Sequence, residues 1–454
     1  MRQLESAAGV RMTAFPQPGL TRWQTAFLFL VGTLASTIRL KIAGVQYMEL
    51  LYFFQIALLL LAFHAQGYRL RMLRPLYRLG VCYFLFGMTA LLLSIAALRF
   101  DFYYPQADEG LLRRPVWITA VRLIELTGNS SMMLYLAEIF RLHAGALRYC
   151  LRIYFWAGVA SAGFALVSYP LAQAGHDFGA YLSIGVRLRG FYNEGGPYGI
   201  YLVSVFVAGL ALMAMGWEPK IRVVACFGFL AAALAGSQSK ASVAVVLMLC
   251  GAYFLMASSL RRQLVTATVA VVAVAIAGQT IDLGRSFRIY QQAGAAYERA
   301  SLIHRGDTNF VEGRIAGAFI VPKMIAAHPL TGIGWGNYGI LRNAPEYRGA
   351  SAWSDYADDP GLGMLGTTAD FGIPLQLFLL ACLLLPFFYA RSVSAPNFVK
   401  IMALVQPVAH LAGAQLNLTY PWVVSACAMG LAYSGLRDGR WDREQARGEP
   451  AALA

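Results

Sequence analysis

Residues 312–338, EGRIAGAFIVPKMIAAHPLTGIGWGNY, and residues 370–385, DFGIPLQLFLLACLLL, decide how this chain is read. The second stretch is an unbroken apolar run of the kind that crosses a bilayer as a helix, which takes about 20 such residues. The first belongs to a long polar excursion from Glu312 to Pro374 that also holds DYADDPG at 355–361. A turn built on His328-Pro329-Leu330-Thr331-Gly332-Ile333-Gly334 follows a short amphipathic segment carrying Arg314 and Lys323. A plain channel or transporter loop has no need of that combination, so chemistry is expected here.

Apolar runs recur outward from this stretch along nearly the whole chain. Of 454 residues, 58% are hydrophobic and 13% charged, which excludes an ordinary soluble protein. In lipid only helices and closed barrels satisfy their own backbone, and continuous apolar runs exclude the alternating barrel pattern. The sequence predicts an all-α polytopic membrane protein of about 12 transmembrane helices, with one large loop, containing short helices, between the ninth and tenth. The spans centre near Phe29, Ala57, Met88, Ser131, Gly158, Val205, Leu230, Val246, Val271, Phe378, Val405 and Ala428. Residues 1–281 then form the N-terminal helices, 282–366 the loop, 367–436 the C-terminal helices and 437–454 a tail.

A net charge of +14 invites a nucleic-acid reading, but the basic residues sit in short connectors between spans, where topology puts them. Arg69, Arg71, Arg74 and Arg78 fall in one connector, and Arg141, Arg148 and Arg152 in the next but one. Lys220 with Arg222, Arg261 with Arg262, and Arg391 with Lys400 continue the alternation, and the tail adds Arg437, Arg440, Arg443 and Arg447. Assigning these to the cytoplasm puts both termini there and reads the leading MRQLESAAGVRM as a cytoplasmic segment rather than a cleaved signal. The opposite face receives Arg99–Pro115, Gly175–Gly196, Gly236–Lys240 and the large loop. All six cysteines lie in or at the ends of spans without CxxC spacing, so neither a disulfide framework nor a thiolate metal site is expected. The histidines likewise lack metal-ligand spacing.

Polar residues on that outer face form two groups. In VRLRGFYNEGGPYGIYL, Arg187, Arg189, Asn193 and Glu194 precede a tight Gly195-Gly196-Pro197 helix start. A helix N-terminus favours an anion, and an arginine can grip phosphate through two bonds; a snorkelling arginine at the membrane boundary is the other reading. The second group is Lys240, Arg314, Lys323 and the acidic Asp355, Asp358 and Asp359. Lys240 stands after a Gly-Ser turn, where an anchor role competes with a site role. Arg314 opens the loop helix, where the helix dipole disfavours a cation, so Glu312 or a bound anion must hold it. His328 reads as a capping or packing residue. Within the spans, Arg122 and Glu125 lie three apart on one helix face, either as a bracing pair or as functional charges at membrane depth.

Four stretches, RLRGFYNEGGPYGIYL (187–202), AGSQSKASVAVVLM (235–248), GRIAGAFIVPKMIAAHPLTGIGWGNY (313–338) and TTADFGIPLQLFLLACLL (367–384), resemble the O-antigen ligase and Wzy-type polymerase superfamily. The likeness covers Arg187 to Leu385 and is most specific at HPLTGIGWGNY. It implies a metal-independent, cofactor-free membrane glycosyltransferase of the bacterial inner membrane, working at the periplasmic face. The implied donor is a glycan on undecaprenyl pyrophosphate. Polymerases pass it to another lipid-linked repeat unit for O-antigen or other polysaccharide, sometimes beside a chain-length regulator, whereas ligases pass it to lipid A–core. Arg189 and Arg314 match the arginines that family members use around the pyrophosphate. Ser239-Lys240-Ala241 stands where many members have Ser-Arg-Gly, which keeps a charge but loses the planar fork. Ligases carry a His-Asn pair before the Gly-Ile-Pro return; DDPGLGMLGTTADFGIP (358–374) lacks a histidine, which favours the polymerase branch.

The expected chemistry needs cations on the leaving pyrophosphate, here Arg189, Arg314, Lys240, Arg187 and the nearby Asn193. It also needs a base for the attacking hydroxyl, for which Asp358 or Asp359 is first choice and Glu194 second. The ligase is the rival within enzymes, and a lipid-linked glycan transporter is the rival outside them. A transporter would line a central cavity with charges from many spans, whereas this chain gathers charge in the loops of one face and shows no internal repeat.

Overall fold

Helices form wherever the apolar runs lie. The computed structural model describes residues 20–35, 41–42, 45–65, 74–97, 115–174, 183–184, 187–192, 195–257, 259, 263–271, 314–348, 362–413 and 416–437. The first half holds α1 (Arg22–Leu34), α2 (Tyr47–Ala65), α3 (Arg74–Ala96), α4 (Pro115–Leu142), α5 (Ala144–Gln173), α6 (Gly195–Ala214), α7 (Lys220–Ser237) and α8 (Lys240–Met256). The second holds α9 (Arg314–Ala327), the short α10 (Tyr338–Leu341) and α11 (Pro345–Arg348), then α12 (Met364–Ser392), α13 (Asn397–Leu411) and α14 (Tyr420–Arg437). Residues 263–271 are also helical, so each expected span centre falls on a helix. Two small antiparallel pairs, β1 (Lys41–Ile42) with β2 (Val45–Gln46) and β3 (Ser183–Ile184) with β4 (Arg187–Leu188), decorate connectors.

Among the described residues, α3, most of α5, α6, α7 and α12 are long and apolar enough to cross a membrane. Large apolar side chains point outward, among them Phe53 at 68%, Phe84 at 65% and Ile221 at 81% exposure. In water such a surface would drive aggregation; against lipid tails it is neutral. The fold is that of an all-α membrane protein. Its centre is α6, α13 and α14, whose residues are buried along almost their whole lengths. Around them α14 packs on α4, α13 on α12 and α8, and α6 on α5, α7 and α8.

Polar contacts mark the two ends of this bundle. At one end Arg152 at the start of α5 pairs with Glu218 in the α6–α7 turn, and Arg148 donates to the Trp217 carbonyl at 3.4 Å. Arg141 pairs with Glu138 close by. The other end collects the α7–α8 and α13–α14 turns, the starts of α4, α6 and α12, and the glycine-rich turn that follows α9.

That turn is joined to a break in α12. Pro374 has no N–H, so the Asp370 carbonyl four residues earlier has no helical partner. The chain leaves helical geometry at Gly372, with φ 74° and ψ 167°. The turn fills the gap. Ile333 N–H donates to the Ala369 carbonyl at 2.9 Å, Gly334 N–H to the Asp370 carbonyl at 3.0 Å, and Ile373 N–H to the Pro329 carbonyl at 2.8 Å. Backbone this close leaves no room for side chains: a Cβ on Gly332 would overlap the Asp370 carbonyl, and one on Gly372 would meet the Leu330 carbonyl oxygen at 2.5 Å. Helices α9, α10 and α11 sit over the turn with a small core of their own, in which Ile320, Met324, Ile333, Tyr338 and Tyr347 pack with Ala369 of α12.

Gly332 has φ +67°, a conformation that costs a non-glycine residue about 1–3 kcal/mol before any overlap. Gly332→Ala is expected to lower the melting temperature in detergent clearly, whereas Gly163→Ala, whose Cβ meets nothing within 4 Å, stays level or gains up to about 1 kcal/mol. Equal melting of Gly332→Ala and the parent chain would contradict this picture of the turn.

Candidate functional site

Two polar centres occupy the end that carries the turn. The first is built around the start of α6. Arg187 lies in β4 opposite Ile184, exposed, and its Nη2 donates to the Gln238 carbonyl at 3.5 Å. Leu188 packs under Gly236, and Arg189 follows it into the interior, 9% exposed. Gln238 turns the chain from α7 into α8 through a left-handed conformation, φ 48°. Ser239 then caps α8: its Oγ accepts the Ser242 N–H at 3.1 Å and donates to the Gly196 carbonyl at 3.2 Å. The N-termini of α6 and α8 therefore touch, and only glycine fits between them, because a Cβ on Gly199 would sit 2.6 Å from Ser239 Cβ. Lys240 stands exposed on the first turn of α8.

The charges among the described residues of this centre favour an anion. Two helix N-termini present partial positive charge to the same region, and Arg187, Arg189 and Lys240 add full charges. Beside Arg189, Tyr192 is buried and donates its phenol to the Ala35 carbonyl at 2.7 Å. Burial, with smaller contributions from Tyr201 and Tyr420, pushes its ionisation well above the usual phenol range, so Tyr192 stays neutral and packs.

The second centre is a crevice between α4, α12, the glycine turn and the α13–α14 turn. Arg122 Nη1 lies 3.1 Å from Glu125 Oε2 on α4. They share the crevice with Trp335 and Gly336 of the turn, Thr367 and Asp370 of α12, and Asn417. Trp335 is clamped by its backbone: its N–H donates to Ser94 Oγ at 2.8 Å and its carbonyl accepts from Thr119 Oγ1 at 2.9 Å. The α13–α14 turn is held by Asn129, whose Nδ2 reaches the Leu416 and Asn417 carbonyls at 3.2 Å each. Behind Thr367 lies His410 of α13, 2% exposed, whose Nε2 is 3.3 Å from both Thr367 Oγ1 and Gln376 Nε2. Tyr192 and Tyr420, with ring centroids 6.1 Å apart, connect the two centres through the α13–α14 turn.

No protein-family model matches this chain, and no curated protein matches it significantly.

Of the expected cations, Arg187 reaches the Gln238 carbonyl two residues before Lys240, and Arg189 lies buried two residues further along the same segment. Asn193, Glu194, Asp358 and Asp359 lie outside the described residues. Arg314 opens α9 as expected, while its side chain lies outside the described set. Lys323 and His328 turn out to brace the loop: Lys323 Nζ donates to the Tyr347 carbonyl at 3.3 Å, and His328 Nε2 is 3.0 Å from Tyr347 Oη. Sequence reading did not single out Asp370, Asn417 or His410. Asp370 and His410 are ionisable residues inside apolar sequence, and that was the available signal.

The side chain of Glu125 is 11% exposed, so removing Arg122 leaves a carboxylate nearly buried. Arg122→Ala is expected to destabilise more than Arg122→Ala combined with Glu125→Ala. A double-mutant cycle read by thermal melting should give a coupling of about 1–3 kcal/mol. Additive losses would show that the pair is not coupled.

Proposed function

We propose that this chain is a membrane glycosyltransferase of the Wzy type. In this reading it joins undecaprenyl-pyrophosphate-linked oligosaccharide repeat units into O-antigen or another polysaccharide. The carrying observation is the contact between the starts of α6 and α8, with Arg187 bonded to the Gln238 carbonyl there, Lys240 on the first turn of α8 and Arg189 in the segment leading into α6. A pyrophosphate leaving group gathers negative charge as the C1–O bond breaks, and fixed cations and helix dipoles there lower the barrier without reorganising. Arg314, at the head of the loop helix, is the further cation proposed for that group. Direct displacement by the acceptor hydroxyl inverts the anomeric centre.

The cellular setting belongs to the same proposal. The chain would cross the bacterial inner membrane about 12 times, with both termini cytoplasmic and the site facing the periplasm. A chain-length regulator is a fitting partner for such a polymerase.

One observation favours the ligase as a second reading. His410 stands beside Thr367, so α13 supplies a histidine next to the Gly-Ile-Pro return that lacks one of its own.

Purified protein given only lipid-linked repeat units separates these readings. A ladder of longer lipid-linked chains is expected, falling at least about 10²-fold in Arg189→Ala and Arg314→Ala, the usual cost of losing one group that stabilises a developing anion. Transfer that appears only when lipid A–core is added would favour the ligase. Neither product from folded protein would bring the transporter reading forward, and full-length ladders from both variants would remove these arginines from the mechanism.

A further inference from the structure

We propose that the rim formed by the start of α5, the α6–α7 turn and the first turn of α7 holds the headgroup of an anionic phospholipid from the surrounding bilayer. This rim lies at the end of the bundle opposite the glycine turn, and the lipid site is independent of the glycosyl-transfer reading.

The turn brings the charges together. Helix α6 stops at Gly216, whose φ of +65° lets the Trp217 N–H return to the Leu212 carbonyl at 2.9 Å. Trp217 and Glu218 then lie against α5: Arg148 donates to the Trp217 carbonyl at 3.4 Å, and Arg152 pairs with Glu218. Lys220 and Arg222 follow directly, exposed on the first turn of α7. Among the described residues of the rim, four cations thus meet one carboxylate, and Arg152 already takes it. Neither Lys220 nor Arg222 makes an ion pair among the described residues. They also stand where the α7 dipole disfavours a cation, in a first turn without an acidic residue. Like charges crowded there repel one another as well, and an anion beside them relieves both costs.

The surface that continues from the rim selects a lipid as the source of that anion. Along α5, Arg148, Arg152, Trp156, Ala160 and Phe164 recur every four residues and are all exposed. One helix face therefore runs from charge straight into apolar surface. On α7, Arg222 is followed by Val224 and Phe229, each 57% exposed, and by Gly228, where a Cβ would meet nothing within 4 Å. A phospholipid matches this order, with its phosphate among the cations and its acyl chains along the apolar residues. Trp217, half-buried at the boundary, has the place that tryptophan favours at a membrane–water interface. Phosphatidylcholine would bring a cation of its own to the rim, so a lipid of net negative charge fits better.

The test uses the purified full-length chain in neutral detergent, with native mass spectrometry counting bound phosphatidylglycerol or phosphatidylcholine as each is added. Phosphatidylglycerol is expected to bind saturably and at least about tenfold tighter than phosphatidylcholine. The double variant Lys220→Gln/Arg222→Gln is expected to weaken phosphatidylglycerol binding at least about tenfold. Arg74→Gln/Arg78→Gln, which removes the same charge from the exposed start of α3, is expected to leave it within about threefold of the parent chain. Equal binding of the two lipids by the parent chain overturns the inference, and so does an equal loss in both double variants, the mark of general attraction to a basic protein. Glycerol phosphate binding the rim as tightly as the lipid would make it a site for a soluble anion and overturn the lipid assignment. Should Lys220→Gln/Arg222→Gln misfold, the parent chain decides, with phosphatidylglycerol carrying a photoreactive headgroup. Crosslinks within residues 217–222 support the site, and crosslinks only elsewhere overturn it.

Discussion

The architecture of the end that carries the glycine turn depends on one backbone exchange. Pro374 deprives the Asp370 carbonyl of its helical donor, and the helix breaks at Gly372. A buried backbone group left unpaired costs several kcal/mol, so the break persists because another segment supplies the missing partners. The turn from Pro329 to Gly334 does so with three backbone bonds. From that junction the rest follows. Trp335 is carried into contact with α3 and α4, the loop helices gain a floor for their small core, and Asp370 is held in the lining of the crevice that Arg122 and Glu125 share.

The same end separates charge by sign. Among the described residues, cations gather where α6 and α8 begin, while the carboxylate residues Glu125 and Asp370 line the crevice with Arg122. Displacement at an anomeric centre has the same polarity: negative charge grows on the leaving group while a proton is shed from the nucleophile. A site divided in this way suits the proposed transfer better than a transport pathway, which has to pass its cargo from one face to the other. The α13–α14 turn, touching one centre through Tyr420 and lining the other through Asn417, couples the two halves.

Much of this was legible in the sequence. Apolar runs alone located the helices, down to residues 263–271, because a lipid-facing helix needs nothing more than length and hydropathy. The loop helix at 314–327 and the glycine turn could also be read, since Gly and Pro mark their own backbone requirements. What stayed hidden was convergence. Asn417 shares a crevice with Arg122 only because α14 packs back against α4, and no spacing along the chain records that. His410 is 43 residues from its Thr367 partner, so its place beside the Gly-Ile-Pro return comes from across the bundle and leaves no mark in the local sequence. Asp370 stands alone within TTADFGIP, where one carboxylate beside an apolar run is a fainter signal than the acidic cluster around Asp358.

The most direct measurement is the binding of undecaprenyl pyrophosphate, without sugar or acceptor, to the protein in nanodiscs. Saturable binding that is tighter than for the uncharged undecaprenol, and weakened at least about tenfold by Arg189→Ala, a loss of about 1.4 kcal/mol, is the result the proposed donor site requires. Equal affinity for the charged and uncharged lipids, unchanged by Arg189→Ala, would contradict it.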